Sequence, residues 1–270
     1  MPERMQGRVL IVAGSDSGGG AGLQADIKTV TALGGYAMTA VTALTAQTTE
    51  GVHGVQGVDP AFIQQQMRVT LDDLGADCIK TGMLHSTEVI EAVAEVLAEV
   101  PEIPVVVDPV MVAQSGADLL HADAVRSLLR TMLPHAALLT PNLPEAEKLS
   151  GLSIPDIDAA QHAASSLLTL GVPAALLKGG HLTGDELTDM LVTEDGLERF
   201  TDPRIPTEQT HGTGCTLASA IATGLAQGLE LRQAVVRARA FLRGALAHAP
   251  GYGRGQGPVN HAWAIPRFDA

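Results

Sequence analysis

Lysine is the scarcest charge in this 270-residue chain: Lys28, Lys80, Lys148 and Lys178 are all it has. Acidic residues outnumber lysine and arginine by 30 to 17, a formal charge of −13. A nucleic-acid surface needs a basic stripe, and this balance excludes one. Aromatic residues make up only 3% of the chain, so no platform for stacked bases is expected either. No stretch reaches the roughly eighteen continuous apolar residues of a membrane span. The opening "MPERMQGRVLIVAG" has a short apolar segment ending in a glycine turn, which is the wrong shape for a signal peptide. Two distant cysteines, Cys78 and Cys215, cannot build a disulfide framework, and a reducing cytoplasm is the expected setting. The histidines, His53, His85, His135, His162 and His211 among them, show no metal-ligand spacing, so no zinc site is expected.

A hydrophobic fraction of 46% supports a large buried core. Short apolar runs ("RVLIVAG", "YAMTAVTALTA", "ADCIKTG", "PVVVDPV", "AALLTPN", "PAALLKGG") read as strands. They alternate with amphipathic helical segments such as "GAGLQADIKTVTALGG", "DPAFIQQQMRVTLDDLG", "STEVIEAVAEVLAEV" and "HADAVRSLLRTML". Asp195-Gly196 marks a hairpin in "TDMLVTEDGLERFTD", and two helices, from about Gly212 and Leu231, close the chain. This alternation predicts an α/β fold whose mostly parallel sheet is covered on both faces. Nothing resembling a linker divides the chain, so residues 1–270 are expected to form one domain.

In such sheets ligands bind beyond the carboxyl ends of the strands, and the polar, glycine-rich segments fall there. They are "AGSDSGGGAG", "TAQTT", "KTGML", "DPVM", "TPNLPEAE" and "KGGH". Neither GxxxxGK[ST] nor GxGxxG occurs, which disfavours a Walker or dinucleotide site. Gly18, Gly19, Gly20 and Gly22 are either a backbone that closely approaches a ligand or a flexible turn. In "HGTGC", Gly212 and Gly214 leave N–H groups at a helix start, a pocket for anionic oxygen. A thiol there is expected to have a lowered pKa. Cys215 is then a proton acceptor from an alcohol, the alternative being a structural cysteine. Asn142 and Glu145 could ligate Mg²⁺ through oxygen, or form an N-cap and its capping box; the two are compatible. Asp108 could reach a metal-bound water or simply make an Asp-Pro turn. Lys178, followed by two glycines, suits a transferring phosphate. The Gln47 amide fits a heterocycle edge with an amino group and a ring nitrogen, and Met83 could lie flat on such a ring.

Together "AGSDSGGGAGLQADIKT", "TALTAQTT", "KTGML", "DPVM", "TPNLPEAE", "LLKGGH" and "THGTGCTL" resemble the hydroxymethylpyrimidine and phosphomethylpyrimidine kinases of thiamine biosynthesis. These belong to the ribokinase-like superfamily, and the likeness runs from about Val9 to the final helix. The resemblance implies a three-layer α/β/α sandwich and ATP-dependent phosphorylation of 4-amino-5-hydroxymethyl-2-methylpyrimidine, then of its monophosphate. It implies that Gln47 binds the pyrimidine amino edge in a pocket lined by Gly14, Met83 and Val110. Asn142, Glu145 and Asp108 would arrange Mg²⁺, and Lys178 would steady the ATP phosphates. Gly212, Thr213 and Gly214 would form the anion hole beside Cys215, the proton acceptor where the wider superfamily usually has aspartate. A homodimer is expected from the same likeness. The alternatives are a pyridoxal kinase of the same subgroup or a catalytically silent sensor on this fold.

Overall fold

The structure, a computed structural model, describes residues 6–111, 122–180 and 184–267. The first strand, β1 (Arg8–Asp16), is buried along almost its whole length. It hands Val9 and Ile11 to one face of the sheet and Leu10 and Val12 to the other. A strand apolar on both sides must sit in the middle of three layers. It does so in a nine-stranded sheet of order β3-β2-β1-β4-β5-β6-β7-β8-β9. The other strands are β2 (Tyr36–Thr48), β3 (Gly51–Gly57), β4 (Cys78–Thr81), β5 (Val105–Val107), β6 (Leu138–Leu139), β7 (Ala174–Leu177), β8 (Glu186–Thr193) and β9 (Gly196–Pro203). From β2 to β7 neighbouring strands run parallel; β3, β8 and β9 are antiparallel.

On one face lie α2 (Pro60–Asp73), α3 (Thr87–Glu99), α4 (Ala122–Ser127), α5 (Leu143–Ser150) and α6 (Ile157–Leu167). Ile63, Met67, Ile90, Val93 and Leu97 pack there against Leu10 and Val12. The other face carries α1 (Gly22–Ala32), α7 (Thr213–Ala226) and α8 (Leu231–Ala247). Leu23, Val30, Leu217, Ile221, Val235 and Phe241 meet Val9 and Ile11. The expected three-layer α/β/α sandwich is what the chain forms. The helix expected in "HADAVRSLLRTML" continues from α4 through a single π turn, Leu128–Met132, into a short 3-10 turn. His121 at its start and His181 in "LLKGGH" lie outside the described residues.

Two features depart from the sequence reading. The glycine-rich, largely exposed β3 is an edge strand that apolar periodicity could not reveal. It pairs with the end of β2, so "TAQTT" extends that strand instead of forming a loop. The pairing register slips between Ala46 and Gln47, and such a bulge re-aims the side chain beside it.

A fully buried ion pair ties the sheet to the α1–α7 layer. Lys80 Nζ of β4 lies 2.9 Å from both carboxylate oxygens of Asp26 on α1. Ser219 of α7 donates to the same carboxylate at 2.7 Å. Burial works against the Lys80 charge, but Asp26, with Cys215 and Asp108, outweighs it and keeps the ammonium protonated. Removing one partner of a buried pair leaves an uncompensated charge and costs about 3–5 kcal/mol. Lys80→Met is therefore expected to lower unfolding free energy by about that amount, with Lys80→Met/Asp26→Leu losing less, as urea titration would show. Equal losses in the single and double variants would contradict this account.

Candidate functional site

The carboxyl ends of the parallel strands open into a cavity of about 570 Å³. Gly14, Gln47, Met83, Asp108, Val110, Asn142, Glu145, Gly212, Thr213, Gly214 and Cys215 all line it. These residues come from six separated stretches of sequence, and strand order alone brings them together. Lys178 lies just outside, in a neighbouring cavity of about 330 Å³ that shares Asn142, Thr213 and Gly214. Its ammonium links the two, 3.0 Å from Asp108 Oδ1 and 3.9 Å from Glu145 Oε2.

Asp108 follows β5 directly and Lys178 follows β7, so each ends an apolar strand. Asn142 caps α5 with its side chain, accepting from Glu145 N–H at 2.9 Å, while Glu145 accepts from Asn142 N–H at 2.8 Å. The capping-box reading of these two residues is thus realised, and it holds the Glu145 carboxylate facing the cavity. Burial pushes the Glu145 carboxyl up to about 7, against the pull of Lys178 and with the help of Asp108. Burial also works against the Lys178 charge, but Asp108 and Glu145 keep its ammonium above the ordinary lysine value. Among the described residues, no group of three or more histidine, cysteine or acidic side chains is arranged to hold a metal.

The glycines have distinct jobs. A Cβ on Gly212, where φ is +86°, would sit 1.8 Å from Gly20 O. The two glycine loops therefore pack backbone to backbone, which only glycine permits. In the first loop the N–H groups of Gly18, Gly20 and Ala21 donate to the Asp16 carboxylate at 2.8, 3.0 and 2.8 Å. These amides serve an internal carboxylate, so the expected approach to a ligand does not involve them. In the second loop no side chain caps α7 at Gly212, and the positive helix end faces the cavity.

Cys215 lies in the first turn of that helix and keeps part of its surface in the cavity. Its thiol differs from expectation. Burial pushes it up to about 12, although Lys80 and the Gly22 N–H pull it down. Asp26 and Asp108 add to the rise. A helix end favours a thiolate, but a crowded, acid-lined floor outweighs it here.

Sequence reasoning gave no role to six side chains in and behind the site. Asp16 is 2% exposed and lies 2.8 Å from His211 Nε2. Lys80 had the right position, a rare lysine before a glycine, but its partner Asp26 is 54 residues away. Behind Lys178, Gly179 N–H donates to Asp189 at 2.9 Å, and Arg239 of α8 donates to the other Asp189 oxygen at 2.8 Å. That chain of contacts ties the β8–β9 hairpin to the Lys178 loop.

A family model described as phosphomethylpyrimidine kinase matches residues 16–260. The chain is 52% identical over 259 residues to the thiamine biosynthesis bifunctional protein ThiED of Geobacter sulfurreducens. That match covers 96% of this chain and 53% of the relative, so the chain spans about half of that longer protein. It is 46% identical over 259 residues to the hydroxymethylpyrimidine/phosphomethylpyrimidine kinase of Streptomyces coelicolor, with 95% of each covered. Among solved structures it is similar to the pyridoxal kinase from Staphylococcus aureus in complex with AMP-PCP and pyridoxal. There the TM-score is 0.88 at 33% identity, covering 96% of this chain and 95% of that one.

The Glu145 carboxyl gives a pH signature. The native state holds its proton up to about 7, whereas an ordinary glutamate releases it near 4.5. Between those values the native state binds more protons than the unfolded one, so stability falls as pH rises. Glu145→Gln, which can still complete the capping box, is expected to flatten this fall. Urea unfolding at pH 5 and pH 8 checks it, and an unchanged difference between the two pH values would refute it.

Proposed function

The chain belongs to the phosphomethylpyrimidine kinase family, and from that premise we propose that its site transfers the γ-phosphoryl group of ATP to 4-amino-5-hydroxymethyl-2-methylpyrimidine. The monophosphate product is then a second substrate, giving the diphosphate. The single observation that carries this reading is the convergence in one cavity of a side-chain amide, a thiol, two buried carboxylates and an uncapped helix N-terminus. An amide suits an aminopyrimidine edge; an uncapped helix start suits a phosphate.

In this reading Gln47 meets the pyrimidine edge, with Gly14, Met83 and Val110 as the walls. Thr213, Gly212 and Gly214 present N–H groups to the travelling phosphoryl group, and Lys178 steadies the ATP phosphates. The adjoining cavity, which Leu187, Leu217, Leu242 and Leu246 help to line, takes the nucleotide base. Mg²⁺ suits the remaining groups. Asp108 and Glu145 are two buried carboxylates sharing one ammonium, and burial with the nearby Asp108 raises the Glu145 pKa, so added positive charge would suit them. With Asn142 they would hold the ion largely through its waters, where it would neutralise phosphate charge. Cys215 takes the substrate hydroxyl proton. Because its thiol must first ionise, the chemical step gains speed with rising pH. Loose phosphoryl-transfer transition states ask little of a base, so a small thiolate population suffices.

A pyridoxal kinase remains the second reading, favoured by the structural likeness at 33% identity. The relatives at 52% and 46% identity carry the thiamine-pathway names, and the pyrimidine is the better match. No helix among the described residues is long and apolar enough to cross a membrane. We further propose that residues 1–270 act as one domain, and that the protein is a cytoplasmic homodimer. Exposed Leu44, Val55 and Phe62 beside the β2–β3 edge offer apolar surface for a second copy.

The test is a panel of the pyrimidine, its monophosphate and pyridoxal with ATP and Mg²⁺, reading ADP release and product mass. Turnover of both pyrimidines ahead of pyridoxal is expected, with kcat rising above neutral pH. Cys215→Ala is expected to lose about 10²-fold in kcat and the pH dependence with it. Gln47→Ala should raise the pyrimidine KM and leave the ATP KM in place. Preference for pyridoxal, or a Cys215→Ala enzyme with native turnover, would sink the assignment.

A further inference from the structure

The Gln47 amide has its terminal atoms between two neighbours, 3.4 Å from His211 Nε2 and 3.3 Å from Thr45 Oγ1. Nitrogen and oxygen of an amide have nearly the same shape, so the neighbours decide which is which. His211 Nε2 is also 2.8 Å from Asp16 Oδ2. Burial alone would push the Asp16 carboxyl up, but hydrogen bonds from His211, Ala21 N–H and Gly18 N–H hold it below the usual range. An ionised carboxylate only accepts, so His211 Nε2 carries a proton whether the ring is neutral or charged. That one proton points to Asp16 and can at most be shared, so Nε2 of Gln47 turned toward His211 would meet a second donor and no lone pair. Turned by 180° about its last bond, the amide offers oxygen instead.

The second neighbour gives the same answer independently. The Thr45 hydroxyl donates its one proton to Ser15 O at 2.9 Å, leaving lone pairs toward Gln47. The atom facing it is therefore the NH₂ group. The main chain of Gln47 is clamped as well: its N–H donates to Ser17 Oγ at 2.9 Å, and Ser17 Oγ donates to Gln47 O at 3.2 Å. A fixed pivot on a β-bulge, with a donor on one side and an acceptor on the other, leaves one amide orientation.

We propose that Asp16, His211 and Thr45 are positioning residues that lock the Gln47 amide with its oxygen toward His211 and its NH₂ toward Thr45. Locked so, Gln47 accepts from an amino group on the His211 side and donates to a ring nitrogen on the Thr45 side. The cavity then selects aminopyrimidines over pyridines that lack the amino group. This rests on the reading that Gln47 meets the substrate ring. One misplaced hydrogen bond is worth about 1 kcal/mol, about fivefold in affinity.

The test uses His211→Leu, Thr45→Val and Thr45→Ser, with melting temperatures confirming folded protein. The first two are expected to raise KM for the aminopyrimidine about fivefold, leave KM for ATP unchanged, and narrow the preference over pyridoxal. Thr45→Ser keeps the hydroxyl and should behave as wild type. Equal losses on both substrates would overturn the proposal. A ¹⁵N–¹H imidazole spectrum of the wild-type protein supplies a readout without turnover. A protonated His211 Nε2 upholds the relay, and a bare Nε2 overturns it. If the enzyme ignores the aminopyrimidine altogether, the substrate reading fails while the spectrum still decides the amide orientation.

Discussion

The buried pair between Lys80 and Asp26 sets the geometry on which the site depends. Asp26 lies four residues after Gly22 on α1, and Ser219 four residues after Cys215 on α7. Residues four apart lie one above the other on a helix face. The Ser219–Asp26 hydrogen bond is thus one turn below the contact of Gly22 N–H with Cys215. Lys80 anchors both helices to the central sheet. The two glycine loops meet without side chains between them because the helices behind them are held in register. A buried ion pair is weak evidence for stability as such; here its value is in fixing that register.

The same arrangement explains why the thiol is less acidic than its helix position suggests. Lys80 is the positive group that pulls the thiol down, yet Asp26 already offsets much of its charge. Asp108 adds to the rise, its carboxylate sharing Lys178 with Glu145. Carboxylates thus crowd the described cavity, and a divalent cation would balance them. In the proposed reaction the incoming substrates bring that cation with them, and the electrostatic field that favours transfer is completed only on binding.

Much of this was legible in the chain. Near-continuous apolar strands ending in polar, glycine-rich turns announced a parallel sheet and the edge that bears the cavity. "TPNLPEAE" announced both a capping box and a cavity-facing carboxylate, and both occur together because the cap is what aims Glu145. What stayed hidden depends on pairing across long separations. Asp16 and His211 are 195 residues apart and Lys80 and Asp26 are 54 apart, and nothing local marks either pair. The strand β3 escaped because glycine and exposure erase the alternation by which strands are recognised. The thiol was misjudged for a related reason: helix position can be read from spacing, whereas burial and the acids around Cys215 come from the fold.

Two glycine-rich loops precede two helices, yet only one of them suits a phosphate. The loop before α1 carries its own anion, since Asp16 gathers three backbone N–H groups and the His211 ring. A second anion at that helix start would meet a carboxylate already in place. The loop before α7 has no such occupant, and Gly212 leaves its helix without a side-chain cap. Asp16 thereby does two things with one side chain. It closes the first helix end to a second anion and, in the proposed reading, holds His211 beside the amide that meets the ring. In the proposed reaction a single acidic residue thus separates the place where the phosphoryl group is transferred from the place where the acceptor is recognised.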